Sequence, residues 1–254
     1  MQIRGTSTYQ AIAAAIRGDI ESGTYPRGSA LPGQHELAAK YNVNQTTVNR
    51  ALRVLTVCGL ITSRRGVRSI VMPIPPITRN AAQRYSKAAR ERAGAGGAYD
   101  AQIRALGHEP RVELVVERAE PPARVAEILG VPTGEESVIA RRRVMWADDV
   151  ITQLADSYVP VSLFGGTVLE EIVEGVGGMV SRMADLGHPQ LRIVEETWGR
   201  PATPDEAPKL GISEEQFVFY KEHIGYGADD QPLEVTLHIM PQHLWIDRVE
   251  FDID

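Results

Sequence analysis

The stretch from Leu31 to Leu52 constrains this chain most, because it reads as two short helices joined by a tight turn. Pro32-Gly33 opens the first helix, with Gly33 as a tolerable N-cap and Leu37, Ala38 and Tyr41 on its inner face. Asn44 is the expected N-cap of the second helix, which carries Val48, Leu52 and Leu55 as its apolar stripe and stops at Gly59. A helix start presents free backbone N–H groups and a positive dipole end, both suited to phosphate. The small amides and hydroxyls of Gln45-Thr46-Thr47 have the size and polarity to reach base edges in a major groove.

The flanks agree with that reading. Tyr9, Ile12, Ile16 and Ile20 form one stripe of an amphipathic helix, with Ser7 and Gln10 spaced as a capping box and Gly23 as a C-terminal stop. Leu60 to Thr62 and Val67 to Met72 predict a short hairpin around Arg64-Arg65-Gly66. Residues 1–93 hold 14 Lys/Arg against 4 Asp/Glu, a net of +10, whereas residues 94–254 carry a net of −16. A basic head on an acidic body is the electrostatic footprint of a chain that holds nucleic acid at one end.

Pro73, Pro75 and Pro76 favour an extended path out of the hairpin, and residues 78–93 are basic with no strong apolar stripe. Gly94-Ala95-Gly96-Gly97 reads either as a flexible joint or as a nest of N–H groups for an anionic ligand. Beyond it, helices are expected over 99–106, 123–129, 169–175, 178–186 and 204–210. Strands are expected over 112–117, 137–146, 151–159, 191–199, 216–225 and 232–240, with Asp148-Asp149 as an acidic turn. Long antiparallel strands with helices grouped on one side give an α+β class. The expected division is 1–72 as a winged helix-turn-helix, 73–97 as a partly ordered linker, and 98–254 as the sheet domain.

The residues Tyr9-Gln10-x-Ile12, Gly28-Ser29-x-Leu31-Pro32, Glu36-Leu37-Ala38, Thr46-Thr47-Val48, Arg50-Ala51-Leu52 and Gly59-Leu60-Ile61 together resemble the GntR family of bacterial transcriptional regulators. The resemblance implies that the starts of the second and third helices and the wing contact an operator. It nominates His35, Asn44, Gln45, Thr46, Thr47, Asn49, Arg64, Arg65, Gly66 and Arg68 as DNA-binding residues. The family usually places Arg at His35, Gln45 and Asn49, and Gly at Arg68.

The second part is similar to the UTRA effector-binding domain of the HutC subfamily, whose fold is shared with chorismate lyases. That similarity rests on Leu106-Gly107, Leu129-Gly130, Arg141-Arg142-Arg143, Asp156-Ser157-Tyr158-Val159-Pro160 and Pro232-Leu233-Glu234. It implies a small, often anionic metabolite as effector, double-stranded DNA with an inverted repeat as the other partner, and a homodimer. The expected function is a metabolite-responsive repressor; constitutive DNA binding through a second domain that only dimerises is the alternative, and lyase-type chemistry in that domain a more remote one.

Arg141 and Arg143 lie two apart on a strand and share a face, where their charges need an anion, or Glu234 or Asp156, nearby. Effector-binding candidates are Gly97 as part of the possible anion nest, Arg141 and Arg143 from this geometry, Tyr158, alternatively a core residue whose hydroxyl reaches the rim, and Glu234, which the resemblance implies receives polar groups of the effector. No catalytic residue, metal or cofactor is expected: the six histidines and single cysteine lack zinc-site spacing, and no Gly-x-Ser-x-Gly elbow occurs. Cys58 reads as a small buried residue. No signal-peptide pattern or 18-residue apolar run is present, so a soluble cytoplasmic protein is expected.

Asn and Gln suit adenine where Arg suits guanine. Converting Gln45→Arg together with Asn49→Arg should therefore move the base preference selected from random duplexes toward guanine. An unchanged selected motif would show that these positions do not read bases.

Overall fold

The computed structural model describes residues 8–62, 68–84, 97–172 and 176–250. Two compact units divide it: Met1–Ile77 with Pro201–Phe217 and Gln242–Leu244, and Thr78–Arg200 with Val218–Pro241 and Trp245–Asp254.

The first unit contains α1 (Thr8–Glu21), α2 (Gln34–Tyr41) and α3 (Gln45–Val57), then the paired strands β1 (Ile61–Thr62) and β2 (Ile70–Val71). The stripes expected from the sequence form one core: Ile12 and Ile16 of α1, Leu37 of α2, and Val48, Leu52 and Leu55 of α3 pack with Leu31, Ile61 and Val71. Tyr9, Ile20, Ala38 and Tyr41 flank that core. Gly33 takes the N-cap of α2, its N–H donating to the Glu36 carboxylate at 2.5 Å. Asn42 closes α2 in the left-handed region (φ 52°), which its short polar side chain tolerates. Asn44 caps α3, accepting from the Thr47 N–H at 2.8 Å and the Thr47 hydroxyl at 2.9 Å. Ser7 and the hairpin tip lie outside the described residues.

The second unit is built on a six-stranded sheet. In chain order come β3 (Ile77–Asn80), α4 (Ala81–Arg84), α5 (Ala98–Ala105), β4 (Pro110–Ala119), α6 (Ala123–Leu129), β5 (Val138–Ala147) and β6 (Val150–Pro160). There follow α7 (Val161–Phe164), a 3₁₀ turn at Val168–Glu170, α8 (Gly178–Asp185), β7 (Arg192–Pro201), β8 (Phe217–Tyr226), β9 (Pro232–Pro241) and β10 (Trp245–Arg248); α9 (Glu206–Leu210), between β7 and β8 in the sequence, belongs to the first unit. The sheet order is β4-β5-β6-β9-β8-β7, and the pairs from β4 to β8 are antiparallel. The Asp148-Asp149 turn joins β5 and β6, with Asp148 at φ 51°.

Helices cover both faces of this sheet rather than one. Val125 and Leu129 of α6 pack on Val138, Ala140, Tyr158 and Val235, while Phe164 of α7 and Met179 and Met183 of α8 pack on Ile139 and Val159. Successive side chains alternate, and here both alternating sets include buried apolar residues, Val138 and Ala140 in one and Ile139 and Val159 in the other, so each face needs a cover. The helix expected over 169–175 is only the turn Val168–Glu170, with 173–175 outside the described residues. Within the expected linker, β3 pairs with β10, a strand near the other end of the chain. Cys58 is exposed, because it is the C-cap of α3 and lies beyond the helix's buried stripe.

Replacing the α3 cap, Asn44→Ala, should lower stability by about 1 kcal/mol and Asn44→Asp should largely preserve it. Urea denaturation followed by helical circular dichroism checks this; equal stability of Asn44→Ala and wild type would contradict it.

Candidate functional sites

Two sites emerge, one in each unit. In the first, the helix-turn-helix presents His35 on α2 and Gln45, Thr46 and Asn49 on α3 to solvent. Thr47 is half-buried and engaged with Asn44, so this pair sets the start of α3 while Gln45, Thr46 and Asn49 project from it. Arg50, one turn beyond Thr46 and also exposed, extends the same face with a cation; its i+4 spacing was the available signal. Arg68 at the hairpin base lies 3.5 Å from the Glu36 carboxylate of α2. Arg64, Arg65 and Gly66 lie outside the described residues. Arg27 donates to the carbonyls of Met72 (3.4 Å) and Ile74 (3.0 Å) and so fixes the chain leaving β2.

In the second unit, the sheet face under α5 and α8 borders a cavity of about 400 Å³. Its polar lining comes from Arg143 (β5), Gln153 (β6), Glu234, Thr236 and His238 (β9), and His223 (β8), with Tyr99 and the acidic Asp100 of α5 and Arg84 of α4 beside them. Leu114, Met145 and Met179 supply apolar lining. The register explains the convergence. Arg143 pairs with Ala155 and Arg141 with Ser157, Ser157 pairs with Thr236, and Thr236 pairs with His223, so one alternating set from four strands meets on one face.

These groups are wired together. Arg143 donates to the Ser157 hydroxyl, the Ser157 and Thr236 hydroxyls are 2.5 Å apart, and Thr236 donates to Glu234 Oε1 at 2.5 Å. Gln190 Nε2 donates to Glu234 Oε2 at 2.5 Å. Because Thr236 gives its only hydroxyl proton to Glu234, Ser157 must donate to Thr236. The chain therefore has one direction, Arg143 to Ser157 to Thr236 to Glu234, and ends on a carboxylate only 4% exposed.

Of the residues expected at this site, Gly97, Arg143 and Glu234 line the cavity. Arg141 shares the face of Arg143 but is 1% exposed and donates to the carbonyls of Leu169 (2.6 Å) and Glu171 (2.7 Å). The two guanidiniums are thus not left facing each other; Arg141 anchors the loop after α7. Tyr158 falls on the opposite face, in the core under α6, where its hydroxyl accepts from Arg142 at 3.2 Å and burial raises its pKa. Arg142 also binds Asp156 (2.9 Å) and Glu117 (3.0 Å), which removes Asp156 as a partner for the cavity arginine.

His238 is the addition that sequence reasoning missed. Its Nδ1 is buried with no hydrogen-bond partner among the described residues. Burial first, then the charges of Arg79, His223, Arg143 and Arg84, holds its pKa well below the usual 6.5, so the ring is neutral near pH 7. A neutral imidazole with one unoccupied nitrogen, beside an arginine and a shielded carboxylate, suits a small polar ligand.

Comparison with known proteins decides between a general polar cavity and a regulatory one. The model of bacterial regulatory proteins of the gntR family matches residues 8–71, and that of the UTRA domain matches residues 105–243, more than half of the chain. The chain belongs to the GntR family and carries a UTRA domain. This GntR regulator is 26% identical over 237 residues to HTH-type transcriptional regulator Rv0792c of Mycobacterium tuberculosis, covering 91% of this chain and 81% of that one. It is 25% identical over 258 residues to the HTH-type transcriptional regulator YurK of Bacillus subtilis, covering 98% and 97%. The fold is similar to that of PhnF from Mycobacterium smegmatis (TM-score 0.58, 21% identity, 96% and 100% covered). The protein is accordingly a DNA-binding transcriptional regulator with an effector-binding domain. Among the described residues no helix is long and apolar enough to cross a membrane.

The depressed pKa of His238 gives a pH dependence with a definite sign. The unfolded chain binds the proton first as pH falls through about 6.5, so stability is full above that value and declines below it. Urea midpoints should fall between pH 7.5 and 5.5, and His238→Asn should flatten that fall. The same slope in the variant would contradict the assignment.

Proposed function

We propose that this GntR regulator is a metabolite-responsive repressor that binds an inverted-repeat operator in cytoplasmic DNA as a homodimer. His35, Asn44, Gln45, Thr46, Thr47, Asn49, Arg50 and Arg68 form the DNA contacts together with the tip residues Arg64, Arg65 and Gly66. A two-fold protein matches a two-fold operator, each helix-turn-helix entering one half-site. The cavity of the UTRA domain is the effector site, with Arg143 receiving an anionic group, Glu234 and His238 hydrogen-bonding polar groups, and Gly97 at the rim. The observation that carries this reading is the directed hydrogen-bond chain from Arg143 to the buried Glu234, which presents both ends to one cavity. Arg141 and Tyr158 are given structural roles, and no catalytic role is proposed for the cavity.

A thermal-shift screen of small anionic metabolites, run on the full-length protein and on Arg143→Met and Arg141→Met, tests the assignment. A ligand at a hundredfold excess over its Kd stabilises the native state by about 2.7 kcal/mol. Arg143→Met should abolish the shift, whereas Arg141→Met should lower the melting temperature yet keep the shift. Operator binding with no stabilising metabolite would instead leave the second domain as a constitutive dimerisation module.

A further inference from the structure

The UTRA domain buries a second polar cluster, around Glu195 of β7. Arg79 of β3 donates to Glu195 through both terminal nitrogens, Nη1 to Oε2 at 2.6 Å, and its Nη1 is 3.7 Å from Asp247 of β10. Lys221 of β8 lies 2.6 Å from Asp247 and 3.5 Å from Glu195. His223 Nδ1 lies 3.1 Å from Glu195 Oε1. The side chains of Arg79, Lys221 and His223 are each 5% exposed or less. Arg79 and Lys221 face Glu195 and Asp247 here, but a buried ion cluster gives little stability over apolar packing, since desolvation offsets most of the attraction. What such a cluster does well is hold its elements in one arrangement, and these elements are β3, β7, β8 and β10.

One member faces two ways. His223 touches Glu195 and also lines the UTRA cavity. The segment β3–α4 meets the cavity a second time: Gln102 of α5 donates to the Thr78 carbonyl at 2.6 Å and accepts from Arg84 at 2.7 Å, and Arg84 lines the cavity. β3 itself begins at Ile77, the last residue of the first unit's opening segment, so the chain runs directly from the DNA-binding unit into this clamp.

We infer that β3–α4 is the element through which an occupied cavity acts on the DNA-binding unit, with His223, Glu195 and Arg79 as the relay. The inference rests on the cavity being the effector site. Glu195 shares its acceptor capacity among Arg79, Lys221 and His223, so a ligand that engages His223 changes how firmly the carboxylate holds Arg79. Because Arg79 fixes β3 against β10, the population in which β3 is docked shifts with occupancy. The shift is set by the ligand's differential affinity for the docked and undocked states.

A tethered occupant tests the relay without knowledge of the metabolite. In full-length protein carrying Cys58→Ser, His238→Cys places a thiol in the cavity. That position lies diagonally across from His223 on the β8–β9 ladder. The thiol is modified with the methanethiosulfonate reagent that leaves an ethylsulfonate anion, and labelling is verified by intact mass. Hydrogen exchange of the peptide spanning residues 77–84 is the readout. Labelling should change its exchange rate by about fivefold or more, the low end of ordinary coupling between sites. The change should fall below about twofold when Glu195→Gln or His223→Phe is added; the second of these leaves the Arg79–Glu195 pair in place. Unchanged exchange on labelling the intact relay, or an equal change in both relay variants, would overturn the inference. Since the tethered anion replaces the metabolite, failure of the effector reading appears in the thermal-shift screen and failure of the relay appears here.

Discussion

A hydrogen-bond chain running across β5, β6 and β9, from Arg143 through Ser157 and Thr236 to Glu234, depends on the exact alignment of three strands. A slip of one residue in any of them would turn its polar set to the other face and bring apolar side chains into the cavity. The apolar sets on both faces oppose such a slip: Ile139 and Val159 are needed under α7 and α8, and Ala140, Tyr158 and Val235 under α6. Packing therefore fixes the register, and the register assembles the site. Arg141 makes the same point from the structural side, since its buried guanidinium donates to two loop carbonyls and lies outside the cavity lining.

In the DNA-binding unit the controlling physics is local. Asn44 closes the start of α3, the stripe Val48, Leu52 and Leu55 sets its inner face, and Gln45, Thr46, Asn49 and Arg50 are left outward by subtraction. Positive charge concentrates in the first 93 residues while the rest of the chain is acidic. Attraction to phosphate is thus confined to one end, and the acidic remainder repels the duplex.

Periodicity, caps and turn residues are written within a few residues of where they act, which is why α1 to α3, the Asp148 turn and every strand of the large sheet were legible from sequence. Contacts that depend on which strands become neighbours were not. Arg141 and Arg143 are correctly read as sharing a face, but their depth along the strand, and hence which one meets the cavity, depends on the loop after α7. Tyr158 needed the β5–β6 register, which places it opposite Ala140 and under α6. His238 and His223 carry no local signal, because they meet the cavity only after β8 and β9 pair. The β3–β10 pairing joins two four-residue strands from distant parts of the chain, too short to announce each other. Helices on both faces were in principle readable, since both alternating sets of β5 and β6 carry apolar residues, Val138, Ala140 and Tyr158 in one and Ile139 and Val159 in the other.

In the proposed function, cavity and DNA-binding helix are coupled in one equilibrium. Thermodynamic linkage makes that coupling reciprocal. The direct measurement is calorimetric affinity of one stabilising metabolite for the free protein and for the protein saturated with its selected operator, set beside operator affinity with and without that metabolite. A coupled equilibrium gives the same factor in both directions, in the ordinary range of about 5 to 150-fold. Equal metabolite affinity for free and operator-bound protein would contradict it.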